Sequence, residues 1–313
     1  MSSSTVLSPM QWTVSALVRR VWDQLASCNN ISSMSTSVYD TAWVSMIIKK
    51  VDGVATWLFP EAFQYLLDNQ LPDGSWNNSS TQTDAILHTL AAIMAMQKHH
   101  LETECANHSA PADLAVRIAK SIKSLEAMLS SWDVKSSQQV GFEILIPALL
   151  AILEKNNVKF SFRGKSSLMA VHQAKMERFT PTIIYSTEET TLIHSLEAFV
   201  DKIDFDRARH RVFDGSMMAS PASTAAYMMY STFWDPKAEA YLRNSICNSA
   251  GIGSGSVPSA YPSSIFELSW VLSTLLESGV SKDDLGTDTC EKFGSFLKTE
   301  LERKGGTVGF GQS

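Results

Sequence analysis

Apolar residues recur at intervals of three and four along nearly the whole chain, and short groups of turn residues interrupt them. This spacing places an apolar stripe on one face of each segment and polar residues on the opposite face. Alternation with a period of two, which indicates strands, is nearly absent. The pattern predicts an all-α fold with helices of about 10 to 20 residues and short connections. It is clearest in "TDAILHTLAAIMAMQKHH", "ADLAVRIAKSIKSLEAMLSSW", "FEILIPALLAILEKN", "TTLIHSLEAFVDKI" and "SIFELSWVLSTLLESGV".

Composition narrows the class of protein further. The 313 residues are 44% hydrophobic, which is enough for two domains with buried cores. A net charge of -6 argues against nucleic acid as a partner. The four cysteines are far apart and form no Cys-x-x-Cys pair, so neither a zinc site nor a disulfide framework is expected. With no secretory leader and no run of about 18 apolar residues, we expect a cytoplasmic protein without a membrane span.

Two Asp-Gly-Ser turns are each followed by a bulky apolar residue: "QLPDGSW" at 70–76 and "RVFDGSM" at 211–217. In the first turn, Gly74 permits a positive φ and Trp76 is large enough to fill a gap between helices. Gln70 and Asp73 complete the motif, and we interpret it as structural. Capped helix starts are predicted where Thr190 and Thr191 stand at the entry to "LIHSLEAFV", and at Ser281 to Asp284 after Gly279.

Several motifs together resemble those of one enzyme family. "SVYDTAWVSMI" at 37–47, followed by "FQYLLDNQLPDGSW", is similar to the N-terminal signature of class II terpene cyclases, in particular fungal diterpene cyclases of the copalyl diphosphate and ent-kaurene synthase type. The resemblance continues in family order over essentially the whole chain, through "GFEILIPALL", "TTLIHSLEAF", "DGSMMASPASTAAYM", "YLRN" and "VPSAYPSSIFELSWVLSTLLE".

The resemblance implies an architecture of α-barrel domains. In this family a γ domain is inserted into a β domain, and the active site lies between them. Residues 1–56 would then be the opening segment of the β domain, 57–258 the γ domain and 259–313 the return into a β domain that is incomplete. Helices such as "SIFELSWVLSTLLE" are expected to expose apolar faces that further cyclase domains would cover.

The resemblance also implies a reaction. In the family, a stretch similar to "GGTVGF" at 305–310 leads into an Asp-x-Asp-Asp motif, whose middle aspartate protonates the terminal alkene of geranylgeranyl diphosphate. This sequence contains no such motif. "DKIDFD" at 201–206 and "DDLGTD" at 283–288 are better interpreted as solvated helix ends or caps. We therefore expect this chain alone to be inactive.

The histidine of "LIHS" matches the family's base group. By resemblance, His194 removes the final proton, and a neutral imidazole suits this task. The alternative is a core-edge histidine that bonds a backbone carbonyl. The partner position in the related plant enzymes carries an asparagine, whereas Ser259 stands there in "VPSAY".

Two further residues match positions near the substrate diphosphate. Glu143 in "GFEILIP" corresponds to an acid associated with Mg²⁺, a cation that prefers oxygen ligands. The alternative is a carboxylate that stabilises a helix start. Lys175 in "HQAKMERF" corresponds to a diphosphate-binding lysine, and the alternative is an ordinary surface lysine.

"YDTAW" has a structural and a catalytic interpretation. Asp40 and the threonine after it are predicted to cap a helix, with Trp43 and Met46 buried behind them. Tyr39 and Asp40 also occur at this place in the enzymes that the sequence resembles. We favour the structural interpretation.

Three functions follow as hypotheses. The first is the N-terminal part of a diterpene cyclase that converts geranylgeranyl diphosphate into a copalyl-type diphosphate, and in a complete bifunctional enzyme onward to an ent-kaurene-like diterpene. The second is a stand-alone, non-catalytic paralogue that binds an isoprenoid diphosphate or a partner protein. The third, an unrelated helical glycosidase, needs two convergent carboxylates and is disfavoured by the ordered motifs.

Overall fold

The computed structural model describes residues 16–20, 22–23, 32, 34–76, 81–248 and 253–303. These residues form two compact units. One comprises residues 34–76, 81–248 and 253–261, and the other comprises residues 16–20, 22–23, 32 and 262–303. The "GGTVGF" turn and the last residues of the predicted 259–313 segment lie outside the described residues. The assignment of 1–56, 57–258 and 259–313 to β and γ domains stays a prediction.

The larger unit is mostly helical, as the sequence predicts. Its 3-10 segments are Val134–Ser136, Thr191–Phe199 and Asp206–Arg211. Its α-helices, in chain order, are α1 (Val38–Ser45), α2 (Pro60–Asp68), α3 (Gln82–Leu101), α4 (Leu114–Ser131), α5 (Phe142–Lys155), α6 (Lys165–Met176), α7 (Thr182–Tyr185), α8 (Pro221–Tyr230) and α9 (Pro236–Asn248).

Helix α1 lies at the centre of this unit and packs against α2, α3 and α8. Seven of its eight residues are buried, and Trp43 is fully enclosed. Its N-cap is Ser37, whose hydroxyl accepts a hydrogen bond from the Asp40 amide. The prediction that Asp40 begins the helix is therefore wrong by three residues, because the upstream hydroxyl takes the capping position. The predicted burial of Trp43 and Met46 is confirmed.

Short antiparallel pairs of strands connect the helices: β1 (Thr36–Ser37) with β6 (Val257–Pro258), β2 (Ile48–Val51) with β3 (Val54–Trp57), and β4 (Val212–Phe213) with β5 (Ser216–Met217). The β2–β3 hairpin turns at Asp52 and Gly53, which have φ of 51° and 82°. An Asp-Gly pair with two positive φ values is a strong hairpin signal. The helical interpretation of the sequence overlooked it.

Both Asp-Gly-Ser turns press a glycine against the backbone of a neighbouring helix. Gly74 has φ of 92°, and a Cβ there would lie 2.6 Å from the carbonyl carbon of Lys120 in α4. Gly215 has φ of 81°, and a Cβ there would lie 2.4 Å from the Lys237 carbonyl oxygen in α9. Only glycine allows both this φ and this close approach.

Other residues of the first turn contact α2 as well as α4. The indole of Trp76 is buried and donates a hydrogen bond to the Leu66 carbonyl at 3.0 Å. Gln70 donates to the hydroxyl of Ser121, and the Asp73 carboxylate accepts from the amide and hydroxyl of Ser75. These contacts join the turn to α2 and α4.

The smaller unit contains α10 (Ser264–Glu277), α11 (Lys282–Leu285) and α12 (Thr287–Arg303). Ser281 is the N-cap of α11, which begins within the range predicted as a helix start, Ser281 to Asp284. Val18, Leu268, Leu285 and Phe293 form its core. On α10, Trp270 is 62% exposed, an apolar surface of the kind expected for this helix. Across the described ranges, no helix combines the length and the apolarity needed to cross a membrane.

Candidate functional site

Two carboxylic acids are buried together at the centre of the larger unit. Asp40 is in α1 and is 4% exposed, and Glu197 is in the 3-10 segment Thr191–Phe199 and is 2% exposed. Charged groups are costly to bury unless they are paired or hydrogen-bonded. The polar partners of these two acids therefore define the candidate site.

Glu197 receives hydrogen bonds from two hydroxyl groups. Tyr39 donates to Oε1 at 2.8 Å and Ser223 donates to Oε2 at 2.7 Å. Burial is the largest effect and raises the pKa of Glu197 to about 7, although both hydroxyls act to lower it. The same burial raises the pKa of Tyr39 well above its ordinary value, and the neighbouring Glu197 raises it further.

Asp40 connects two helix N-termini. Its Oδ2 accepts from the Ser37 hydroxyl at 2.6 Å, and its Oδ1 accepts from the Ala222 amide in the first turn of α8 at 3.2 Å. Burial raises the pKa of Asp40 to about 6, while the Ser37 hydroxyl and the electrostatic interaction with His194 act to lower it. An electrostatic interaction thus links His194 to this acid.

His194 lies just before a break in its segment. At Ser195 the backbone leaves helical geometry, with φ of −137° and ψ of 38°. The Leu196 amide beyond the break donates to Ser223 Oγ at 2.8 Å, so the hydroxyl that binds Glu197 also stabilises the break. The break separates the half-buried His194 from the fully buried Glu197.

A strained turn fixes the imidazole of His194. Nδ1 of His194 lies 3.0 Å from the carbonyl oxygen of Met218. Because that oxygen can only accept, Nδ1 carries the proton in the neutral ring and Nε2 carries the lone pair. Met218 and Ala219 have φ of 54° and 55°, a conformation that costs energy for residues other than glycine and that clusters at functional sites.

Ser259 does not join His194 in this arrangement. Its side chain is exposed, and its hydroxyl is directed at the sulfur of Met34, with Oγ···Sδ of 3.9 Å. The connection between the two segments is made by Tyr261, whose amide donates to the Ala219 carbonyl at 2.9 Å. The family-based pairing of His194 with position 259 therefore has no direct hydrogen bond here.

Glu143 and Lys175 form a second pair. Glu143 is a buried residue in the first turn of α5, and its Oε1 lies 3.2 Å from Nζ of Lys175 on α6, whose side chain is half exposed. His172 approaches the Glu143 carbonyl through Nδ1 at 2.9 Å. The structure thus places these two predicted residues together. No cluster of three or more His, Cys, Asp or Glu suited to a metal occurs within the described residues.

Sequence reasoning missed Glu197, Ser223 and the strained turn at Met218. A glutamate inside the apolar segment "LIHSLEAF" is a weak signal of a buried acid. Its partners stand 158 and 26 positions away, so their proximity is not visible in local sequence.

Solved structures with a similar fold are terpene cyclases. Abietadiene synthase from Abies grandis is 25% identical, with a TM-score of 0.71, and the match covers 92% of this chain and 36% of that one. The ent-copalyl diphosphate synthase from Arabidopsis thaliana is also 25% identical, with a TM-score of 0.70, and the match covers 91% of this chain and 39% of that one. The fold is therefore the all-α terpene cyclase fold.

The sequence relatives are fungal diterpene synthases, a narrower class than the terpene cyclases found by structural similarity. Phyllocladan-16-alpha-ol synthase of Phomopsis amygdali is 44% identical over 301 residues, copalyl diphosphate synthase of Talaromyces verruculosus 42% over 306, and ent-kaur-16-ene synthase of Phaeosphaeria 41% over 299. These matches cover 94% to 97% of this chain but 30% to 32% of the relatives. No family model matches the chain. The chain is a homologue of fungal copalyl diphosphate synthases, ent-kaurene synthases and related diterpene cyclases, and it spans about a third of their length.

Proposed function

We propose that this chain supplies part of the active site of a class II diterpene cyclase, which converts geranylgeranyl diphosphate into a copalyl-type diphosphate. The names of its fungal relatives support this class of reaction. So does the Arabidopsis structure, which is a complex with (S)-15-aza-14,15-dihydrogeranylgeranyl thiolodiphosphate. Onward conversion to an ent-kaurene-like diterpene would belong to a longer protein.

The observation that carries the proposal is the fixed imidazole of His194. Protonation of an alkene starts the cyclisation, and the final carbocation must lose a proton to leave an alkene. Nδ1 of His194 is held by the Met218 carbonyl, so Nε2 has the lone pair that accepts such a proton. Bonding to a backbone carbonyl, the alternative considered for this histidine, orients the base and is compatible with catalysis.

The pair formed by Glu143 and Lys175 suits a diphosphate. A lysine ammonium binds phosphate oxygens as a compact charge, and Mg²⁺ is commonly held by one or two carboxylates together with substrate phosphates. Glu143 offers one such carboxylate. It therefore suits a Mg²⁺ ion whose other ligands would include the substrate phosphates, but not an ion held by protein ligands alone. When bound, Mg²⁺ would neutralise diphosphate charge, and Lys175 would orient the same group.

The initiating acid is not supplied by this sequence, which contains no Asp-x-Asp-Asp. Asp40 and Glu197 have raised pKa values, but their hydrogen bonds to neighbouring hydroxyls and an amide occupy them inside the core. We therefore propose that the 313-residue chain alone does not cyclise geranylgeranyl diphosphate. A non-catalytic paralogue that binds isoprenoid diphosphate through Lys175 is the second candidate.

A chimera tests the proposal. The 313 residues replace the matching region of the Talaromyces copalyl diphosphate synthase, to which they are 42% identical. The product formed from geranylgeranyl diphosphate with Mg²⁺ is then measured. We expect copalyl-type diphosphate from the chimera, none from the 313-residue chain, and a loss of roughly 10²-fold or more in His194→Gln.

His210→Gln is the matched control, because His210 also bonds backbone carbonyls, those of Arg207 and Ser186, but lies on the exposed surface. A folded chimera that binds substrate without forming product would favour the non-catalytic candidate. Turnover by the 313-residue chain itself would disprove the proposed need for an external acid.

A further inference from the structure

We propose that Asp40 is a positioning residue for His194: it anchors the N-terminus of α8 and, through it, the strained turn that fixes the imidazole. The role of His194 as a base rests on the function proposed above. The structural claim, that Asp40 controls the state of the His194 ring, does not need that function and is tested separately.

Asp40 contacts the N-terminus of α8 through the Ala222 amide. The first amides of a helix lack partners within the helix, and the Ala222 amide is one of them. Asp40 Oδ1, contributed by a helix 182 positions earlier in sequence, accepts it at 3.2 Å. A carboxylate at a helix N-terminus also interacts favourably with the helix dipole. Asp40 therefore holds the start of α8 against α1.

The strained turn at residues 217–220 connects the start of α8 to His194. Residues 217–220 run directly into α8, and Ser220 is its N-cap. Two consecutive non-glycine residues at positive φ persist only where surrounding contacts hold them. These contacts are Met217 N to Thr224 Oγ1 at 2.9 Å, Ala219 N to Ser216 Oγ at 3.1 Å, and Tyr261 N to the Ala219 carbonyl at 2.9 Å.

Thr224 lies in the first turn of α8, so the turn is attached to the part of the helix that Asp40 anchors. If that helix start moves, the Met218 carbonyl moves with it. The His194 ring then loses the acceptor that fixes its orientation and the position of its proton.

Asp40 also acts on His194 through its negative charge. Asp40 is enclosed in the core, and its electrostatic interaction with His194 favours the carboxylate form. When a base accepts a proton it becomes an imidazolium, which a nearby buried carboxylate stabilises. Asp40 thus both anchors the helix start behind the orienting carbonyl and supplies a negative charge that interacts with the same ring.

Nitrogen NMR of the histidine rings provides the test, on the 313-residue chain labelled with ¹⁵N-histidine. His194→Gln assigns the signals of His194 among the seven histidines. In the wild-type chain, at a pH at which the histidine rings are neutral, we expect one protonated nitrogen, Nδ1, and one unprotonated nitrogen, Nε2. In Asp40→Ala we expect this asymmetry to be lost through exchange between tautomers.

Asp40→Asn separates the acceptor from the charge. It keeps an oxygen for the Ala222 amide, and the Ser37 hydroxyl can reorient to accept from the new amide group. We expect it to restore the single tautomer. Leu125→Ala, which truncates a fully buried side chain in α4, is the control for general destabilisation and should leave the signals unchanged.

The outcomes are distinct. An unchanged ring in Asp40→Ala overturns the proposal, as does an equal loss of asymmetry in Leu125→Ala or in Asp40→Asn. If Asp40→Ala does not fold, Asp40→Ser replaces it, because its shorter side chain cannot reach the Ala222 amide. An inactive chimera would refute the proposed function but would leave this NMR result intact.

Discussion

The phenol of Tyr39 donates a hydrogen bond of 2.8 Å to Oε1 of Glu197, although 158 positions separate the two residues. The bond ties the central helix α1 to the segment that carries His194. Since both groups are fully enclosed, neither can exchange its partner for water without opening the core. Conformational stability and the geometry of the candidate site therefore depend on the same few hydrogen bonds.

Glu197 should make the folded state less stable as the pH rises. Its pKa is about 7 in the folded chain and 4.5 as the ordinary value, so between about pH 4.5 and 7 the folded chain holds a proton that the unfolded chain has released. Stability is therefore greatest below this window and lower above it. At about 1.4 kcal/mol per pKa unit, this difference of about 2.5 units corresponds to about 3 to 4 kcal/mol over the whole window.

Urea unfolding at pH 5 and pH 8 measures this effect in wild type and Glu197→Gln. The variant should lose less stability than the wild type between these pH values, because its amide does not ionise. Glu189→Gln, on the exposed surface, serves as the control. Equal pH dependence in all three proteins would show that Glu197 does not hold a proton in the fold.

The helical period predicts most of the larger unit, because each helix buries one apolar face. It fails where a tertiary contact overrides local preference. Residues 190–203 have a helical pattern and the predicted cap at Thr190, yet the segment is a 3-10 helix broken at Ser195. The break is stabilised by Ser223, which takes the Leu196 amide that a continuous helix would use.

The candidate site is less predictable than the fold. Family resemblance selects His194, Glu143 and Lys175, and the last two lie together. It cannot supply the bond between Asp40 and Ala222, because two elements distant in sequence must first pack before that contact exists. The strained Met218 and Ala219 carry no sequence signal either, since neither residue type favours a positive φ.

Gly74→Ala should destabilise the chain far more than Gly53→Ala. Both glycines have a positive φ, 92° and 82°, so both variants carry the strain of that conformation, about 1 to 2 kcal/mol. A Cβ at Gly74 would also meet Lys120 and Ser121 backbone atoms within 2.8 Å, whereas nothing lies within 4 Å at Gly53. We expect an additional loss of about 1 to 3 kcal/mol at Gly74, measured by urea unfolding. Equal losses would mean that the turn moves away from α4 at little cost.

Ser223→Ala should cost about 2 to 3 kcal/mol, because it leaves the Leu196 amide without its acceptor and removes a donor from buried Glu197. Ser245→Ala is the matched control: that serine is also fully buried, but its hydroxyl donates to the Leu242 carbonyl of its own helix. Its substitution should cost less than about 1 kcal/mol. Similar losses in the two variants, by the same unfolding measurement, would contradict the special role of Ser223.

His99 should make the folded state less stable as the pH falls, whereas Glu197 should make it less stable as the pH rises. Its ring is stacked between Trp57 and Phe63, with centroid distances of 3.6 Å to each, and its Nε2 donates to the Ser45 carbonyl at 2.8 Å. Burial is the largest effect and lowers its pKa to about 4, against an ordinary value of 6.5. The stability that the neutral ring contributes is therefore complete above pH 6.5 and is lost as the pH falls towards 4.

His99→Phe keeps an aromatic ring in the stack but removes the titration and the hydrogen bond to Ser45. At pH 7 the variant should be less stable than the wild type by about 1 to 3 kcal/mol, because a buried carbonyl is left without its donor. Towards pH 4 the difference should shrink or reverse, since only the wild type must then protonate a buried imidazole. Chemical unfolding at pH 4.5, 5.5 and 7 measures it, with the exposed neighbour His100→Phe as the control. A difference that stays constant across these pH values would show that His99 does not titrate with folding.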